Sequence, residues 1–198
     1  MRSLQSRQAV RCRPSTAFVK YGASVQPRVS VYIAVSLDNF IARDDGGLDW
    51  LADVQDAGGD DYGYAAFMDT IDAVVLGRAT YDAVRTFDTW PFTDKRVIVL
   101  TNRALTPVFG EEVYAGALTP LMQRLGTDGI ARVYLDGGAT VRQGLDEGLV
   151  DDMTLSLVPV LLGSGRPLFM RGLPGSGWRL LRSESHPTGL VQLQYERA

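Results

Sequence analysis

Three short stretches carry residues able to hold a phosphorylated ligand. Gly77-Arg78-Ala79-Thr80 and Asp136-Gly137-Gly138-Ala139-Thr140 each follow an apolar run and open a helical pattern, and Thr101-Asn102-Arg103 follows a third apolar run. Helix N-termini offer unpaired N–H groups and the positive end of a dipole, which suits a pyrophosphate. The guanidinium groups of Arg78 and Arg103 suit a further phosphate, which each can grip with two parallel hydrogen bonds. Singly, each stretch also reads as a cap, a turn or a surface charge. Together they make a coherent anion site.

The common nucleotide fingerprints are missing. The first strand-like run is followed by SLDNFIA, without a glycine-rich turn, and DGGATVRQG does not fit G-x-G-x-x-G. No G-x-x-x-x-G-K-[ST] segment occurs either, so neither an ordinary dinucleotide fold nor a P-loop enzyme is expected. Thiol and metal chemistry are also poorly supplied. The one cysteine, Cys12, lies near the N-terminus, and the one histidine, His186, sits in His-Pro-Thr-Gly, which reads as a solvated turn. No metal site is expected.

The elements that must position these loops alternate. VSVYIAV (Val29–Val35) opens the pattern, and AVVLG (Ala73–Gly77), RVIVL (Arg96–Leu100) and RVYL (Arg132–Leu135) are apolar runs suited to strands buried on both faces. Helical patterns fall at Asp61–Thr70, Thr80–Arg85, Thr119–Leu125 and Ala139–Glu147. Strands interleaved with helices predict a mostly parallel, right-handed α/β sheet. The last third differs: DDMTLSLVPVLL, RPLFM, WRLLRSES and LVQLQYER are strand-like, and the last two are joined by a Pro187–Gly189 turn. The sheet is therefore expected to end in antiparallel strands. In open α/β sheets ligands sit beyond the carboxyl ends of strands, which is where all three loops fall.

Composition sets the outer bounds. The chain has 198 residues, 45% hydrophobic, enough for one sizeable core, and no apolar segment approaches membrane-span length. Six of the 20 bases and none of the 23 acids fall in Met1–Arg28, so the remainder carries a net charge of −9. An acidic body argues against a nucleic-acid partner. Residues 1–28 read as a basic, flexible extension or an upstream start to the frame; their composition also has the flavour of a transit peptide. They lack the apolar core of a secretory signal, so a cytoplasmic location is expected, with one domain over residues 29–198.

The motifs VYIAVSLDNFIARDDGGLDWL, DAVVLGRATYD, RVIVLTNR and VYLDGGATVRQGLDEGLVDDMTLSLVPVLLGSGRPLF, in this order and spacing, resemble the dihydrofolate reductase superfamily. The branch they look closest to holds the C-terminal reductase domain of riboflavin-biosynthesis proteins and its stand-alone relatives. The resemblance implies a three-layer fold, with helices flanking a mixed, mostly parallel sheet, and hydride transfer from NADPH. It places Gly77, Arg78, Ala79 and Thr80 at the cofactor phosphates and Thr101, Asn102 and Arg103 around the adenosine 2′-phosphate. Gly137, Gly138, Ala139 and Thr140 fall at the pyrophosphate, and Ala34 and Ile41 where backbone groups hold the nicotinamide carboxamide. Two arginines at one ribose favour NADPH over NADH, because the 2′-phosphate brings extra negative charge.

On the substrate side the resemblance places an acid at Asp61, with Asp60 beside it, and a strand hydroxyl at Ser156 as that acid's partner. GGDDYGYAAF also reads as a helix N-cap. Trp50 resembles the tryptophan preceding the acid, although the gap to Asp61 is longer here. Ala65 and Ala66 stand where bulkier side chains are expected, which argues against dihydrofolate itself. The expected substrate is a small heterocycle, folate-like or pyrimidine-like; the alternatives are a pyrimidine reductase of riboflavin synthesis and a nucleotide-binding module without turnover. Arg166 reads as a strand-end surface residue. A homodimer is possible through the apolar LVPVLL and RPLFM strands.

Overall fold

A computed structural model describes residues 26–55 and 60–198. The basic extension and Cys12 therefore lie outside the described residues, apart from residues 26–28. Valine-rich runs form the centre of an eight-stranded sheet. Its strands are β1 (Arg28–Ser36), β3 (Ala73–Gly77), β4 (Arg96–Leu100), β5 (Glu112–Tyr114), β6 (Arg132–Asp136), β7 (Asp152–Val158), β9 (Trp178–Ser185) and β10 (Val191–Arg197). The order is β5-β4-β3-β6-β1-β7-β10-β9, parallel from β5 through β7 and antiparallel across β7-β10 and β10-β9. A small ribbon pairs β2 (Phe40–Ala42) with β8 (Arg166–Pro167).

Helices cover both faces, as alternate residues of the strands require. Val75, Ile98, Val133 and Leu135 face α4 (Leu118–Thr127) and α5 (Gly138–Asp146). In α4 the apolar side chains Leu118, Leu121, Met122 and Leu125 recur at helical spacing and are buried. Glu147, just past α5, accepts the Leu118 and Thr119 N–H groups at 2.8 and 2.7 Å and so caps α4 from a neighbouring helix. On the opposite face Val74, Leu76 and Tyr134 pack under α2 (Tyr64–Asp69) and α3 (Arg78–Val84). This is the expected three-layer α/β architecture. A short helix, α1 (Ala52–Gln55), follows a 3₁₀ turn at Asp49–Leu51. No described helix is long and apolar enough to cross a membrane.

Candidate active site

The sheet register brings the three loops side by side. Gly77 pairs with Leu100 and Leu76 with Asp136, so β4, β3 and β6 end at one level. The loops after β3 and β6 then interlock. Gly77 and Gly137 precede α3 and α5, and neither helix start has a side-chain cap. Gly137 has φ 86° and ψ 140°, a region glycine alone occupies comfortably. A Cβ there would stand 2.1 Å from Thr80 Oγ1, and one on Gly138 would stand 2.7 Å from Ile41 Cδ1. Across the same gap a Cβ on Gly77 would lie 3.2 Å from Thr140 Oγ1. Thr140 is buried, yet its hydroxyl has no partner among the described residues. The cradle thus has closely fitted walls, uncapped helix starts and an orphaned hydroxyl.

The two arginines behave differently. Arg78 Nε meets both oxygens of Asp82 at 2.8–2.9 Å, and its Nη1 donates to the Ala104 carbonyl at 3.0 Å. Its charge is already paired, and it ties α3 to the loop after β4. Arg103 is exposed, with no ion pair among the described residues. Its N–H donates to Thr101 Oγ1 at 3.0 Å, which shapes the loop, and Asn102 and Ala139 are exposed beside these groups.

Ile41 is brought over the glycine pair by the β1–β2 turn. Asp38 accepts the Ser36 hydroxyl at 2.6 Å and the Leu162 and Gly163 N–H groups. These bonds hold its carboxyl below the usual range, the serine contributing most. Asn39, with φ 73°, is clasped to the backbone of Phe169. Arg166 is exposed and packs its guanidinium against Gly46.

On the substrate side the expected acid does other work. Asp61 Oδ2 accepts the Ala65 N–H and Oδ1 the Gly63 N–H, both at 2.8 Å. The Ala65 bond, with Gly63 second, holds the carboxyl below its ordinary range, and the residue is exposed. It is an anionic helix cap. Asp60 Oδ1 likewise accepts the Tyr62 N–H. Ser156 is buried opposite Ala34 of β1, and its Oγ takes a bond from Gln192 Nε2 at 3.3 Å; Asp61's side-chain bonds all go to backbone. Trp50 is buried beside Val158 and Leu190, close to Ala34 and Tyr62, with an indole N–H that has no partner among the described residues.

Two residues stand out that the sequence patterns did not single out. Asp136 ends β6, immediately before the glycine pair. Burial raises its carboxyl above the usual range, although the Tyr134 hydroxyl and the Gly137 N–H oppose the shift. Tyr64, at the start of α2, is pushed up by burial and by the Asp136 charge. An acid closing an otherwise apolar strand was the available signal. Gln192 is the second: it is 5% exposed on β10, where its cross-strand partners are Ser156 and Glu184.

His186 corrects an expectation. Its turn is as read, with His186 and Leu190 bonded through the backbone. The imidazole, however, is folded inward: its side chain is 12% exposed, stacks edge-on to Tyr62 at 4.8 Å, and has Nδ1 3.3 Å from Asp60 Oδ2. The aromatic face of Tyr62 makes burial more favourable than solvation here. A cleft of about 570 Å³ opens beside α2, with His186, Tyr62 and Ala66 in its walls and Thr154, Gln192 and Gln194 in its floor.

A family model for the RibD C-terminal domain matches residues 27–192. A Shewanella sp. PV-4 protein named for riboflavin biosynthesis is 36% identical, with a TM-score of 0.80, covering 86% of this chain and 99% of that one. The Thermotoga maritima diaminohydroxyphosphoribosylaminopyrimidine deaminase/5-amino-6-(5-phosphoribosylamino)uracil reductase superposes with a TM-score of 0.69 at 16% identity, over 91% of this chain and 59% of that one. Dihydrofolate reductase from Enterococcus faecalis, complexed with NADP(H) and RAB-propyl, does so with 0.62 at 15% identity, over 87% and 97%. The fold is that of dihydrofolate reductase, and the chain belongs to the RibD C-terminal domain family.

Proposed function

We propose that the protein is an NADPH-dependent reductase of a small heterocycle, with an aminopyrimidine of the riboflavin-pathway kind favoured over a folate. The interlocked glycine cradle carries the reading. Thr80, Gly137, Gly138 and the orphaned Thr140 hydroxyl fit a pyrophosphate, which would supply the acceptor that Thr140 lacks. Gly77, Arg78 and Ala79 would flank it, and Thr101, Asn102 and Arg103 would meet the 2′-phosphate. Ala34 and Ile41 would border the nicotinamide. The bound cofactor supplies a hydride; the chain's own residues orient the substrate and handle the proton.

The proton donor this reading favours is Asp136, which ends β6 immediately before the glycine pair. A carboxyl raised by burial retains its proton nearer neutral pH than an ordinary one, as general acid catalysis needs. Asp61 is poorly suited, because its capping bonds stabilise the anion. That commitment would favour the alternative of a binding module without turnover, and Asp136 is what answers it. It also argues against a folate, whose ring that acid would serve.

The test is NADPH oxidation, followed by loss of the cofactor's near-ultraviolet absorbance, with aminopyrimidine intermediates and with dihydrofolate offered in parallel. Turnover of the former alone is expected; turnover of dihydrofolate alone would overturn the substrate preference. Pairing of two copies belongs to the same proposal, supported by Leu161, Phe169 and Met170, which are 70%, 37% and 43% exposed in the segments that follow β7 and β8. Light scattering checks it.

A further inference from the structure

Arg142 is a cation without an anion. It is half-buried on α5 and makes no ion pair among the described residues. Its Nη1 donates to the Met170 sulfur, and its Nε is buried with no partner among those residues. A guanidinium has five N–H donors, and a thioether is one of the weakest acceptors a side chain offers. On α3 the equivalent need is met locally, since Arg78 takes Asp82 at the i+4 position. On α5 the i+4 acid is Asp146, which stays exposed and forms no ion pair with Arg142. Withdrawing a charge from water while its donors go unused costs stability, and such a group asks for a reason outside the fold.

The fold sets this charge beside the glycine cradle. Gly138 lies four residues earlier on α5, so the two share one face of the helix. That face meets the segment after β8. A Cβ on Gly138 would lie against Ile41 and 3.7 Å from the Pro167 carbonyl, and Arg142 reaches Met170 in the same segment. Helical side chains lean toward the N-terminus, which lays the arginine over the turn holding Gly138 and Ala139. The same turn carries the orphaned hydroxyl of Thr140, a residue 1% exposed. Two groups with unused donors therefore stand at one uncapped helix start. The segment behind them is fixed, because the Asn39 amide donates to the Phe169 carbonyl at 2.8 Å and accepts the Phe169 N–H at 3.2 Å. The Met170 side chain is 43% exposed, and an unbranched thioether can yield its place without moving that backbone.

We propose that Arg142 is a phosphate-binding residue held in reserve by Met170: when a dinucleotide enters, the guanidinium leaves the sulfur and closes on the phosphate nearer the nicotinamide. The inference rests on the reductase reading and gives that site a third cation with a separate duty. Ile41, which borders the nicotinamide in that reading, is the side chain over Gly138, so Arg142 stands at the nicotinamide end of the cradle. Arg103 follows β4, two strands away from β6, and serves the 2′-phosphate. Arg142 serves a group that NADPH and NADH share.

Three ligands separate the two duties. NADPH carries every phosphate, NADH lacks the 2′-phosphate, and 2′,5′-ADP keeps the 2′-phosphate but lacks the phosphate nearer the nicotinamide. Their affinities for the full chain are measured by calorimetry in the native protein, Arg142→Gln, Arg142→Lys and Met170→Leu, beside the melting temperature of each free protein. Arg142→Gln is expected to weaken NADPH and NADH alike, about tenfold, and to leave 2′,5′-ADP within about twofold, the scale of one charge-assisted contact. The free variant should melt no lower than the native protein, because an unpaired, half-buried charge has gone. Arg142→Lys keeps the charge and loses the fork, and should recover part of the affinity. Met170→Leu removes the competing acceptor and should bind both dinucleotides at least as tightly as the native protein. A lower melting temperature for free Arg142→Gln, with all three ligands weakened equally, marks a structural arginine and overturns the proposal. Met170→Leu losing affinity as Arg142→Gln does overturns it too. Unchanged binding of NADPH and NADH by Arg142→Gln overturns it and leaves the reductase reading standing. If the native protein binds neither dinucleotide, the reductase reading falls and the proposal with it.

Discussion

A Cβ on Gly137 would stand 2.1 Å from the Thr80 hydroxyl, so these two residues from different loops leave no room for any side chain between them. Gly137→Ala must both adopt φ 86° and push Thr80 aside. A loss of roughly 1–3 kcal/mol in stability is expected, together with loss of NADPH binding. Adding Thr80→Ala removes the oxygen and should recover part of the stability, while the backbone strain persists. Denaturant unfolding of the single and double variants measures both.

Arg103 and Arg78 should differ in weight. Asp82 already pairs with Arg78, whereas Arg103 has no ion pair among the described residues. Arg103→Ala is therefore expected to remove most of the preference for NADPH over NADH, about tenfold in affinity for a charge-assisted contact. Arg78→Ala should cost less in that preference and more in stability, because it also breaks the bond to Ala104. Titrations of both cofactors against each variant decide it.

Asp136 should leave a signature in the dependence of stability on pH. Its folded carboxyl is raised above the unfolded value of about 4. Ionising it therefore costs stability above the folded pKa, and the cost disappears as pH falls below the unfolded one. Asp136→Asn is expected to raise the melting temperature at neutral pH, with a gain that shrinks on acidification, and to slow turnover at least tenfold. Melting curves across pH 4–8, beside single-turnover rates, test the two halves separately.

Asp61 has the opposite sign. Its folded carboxyl is lowered, so its contribution is present at neutral pH and is lost as pH falls through the folded value. Asp61→Asn should lower the melting temperature modestly, as loss of an exposed cap does, and leave turnover within about threefold. A drop in hydride transfer with unchanged stability would restore it as the acid.

Much of the scaffold was legible in the sequence because burial writes long apolar runs. Ala73–Gly77 and Arg96–Leu100 are strands over those residues. Phe40–Ala42 and Glu112–Tyr114 were not legible, since three residues carry no period. The helix read at Asp61 starts at Tyr64, because Asp60 and Asp61 use their carboxylates to build the preceding turn. The loops after β3, β4 and β6 were legible as a group through their glycines, threonines and arginines. Asp136 and Gln192 were not, because the burial of one and the cross-strand pairing of the other with Ser156 exist only in the fold. His186 was misplaced for the same reason: only the fold brings Tyr62 beneath its ring.

The measurement bearing most directly on the cofactor site is the melting temperature of the full chain with NADPH or NADH at equal concentration. At a hundredfold excess over its dissociation constant, NADPH should add about 2.7 kcal/mol, or roughly 5–10 °C, and NADH distinctly less. Equal shifts from the two cofactors, or none from either, would contradict a site built from Arg103, Thr80 and the Gly137–Gly138 cradle.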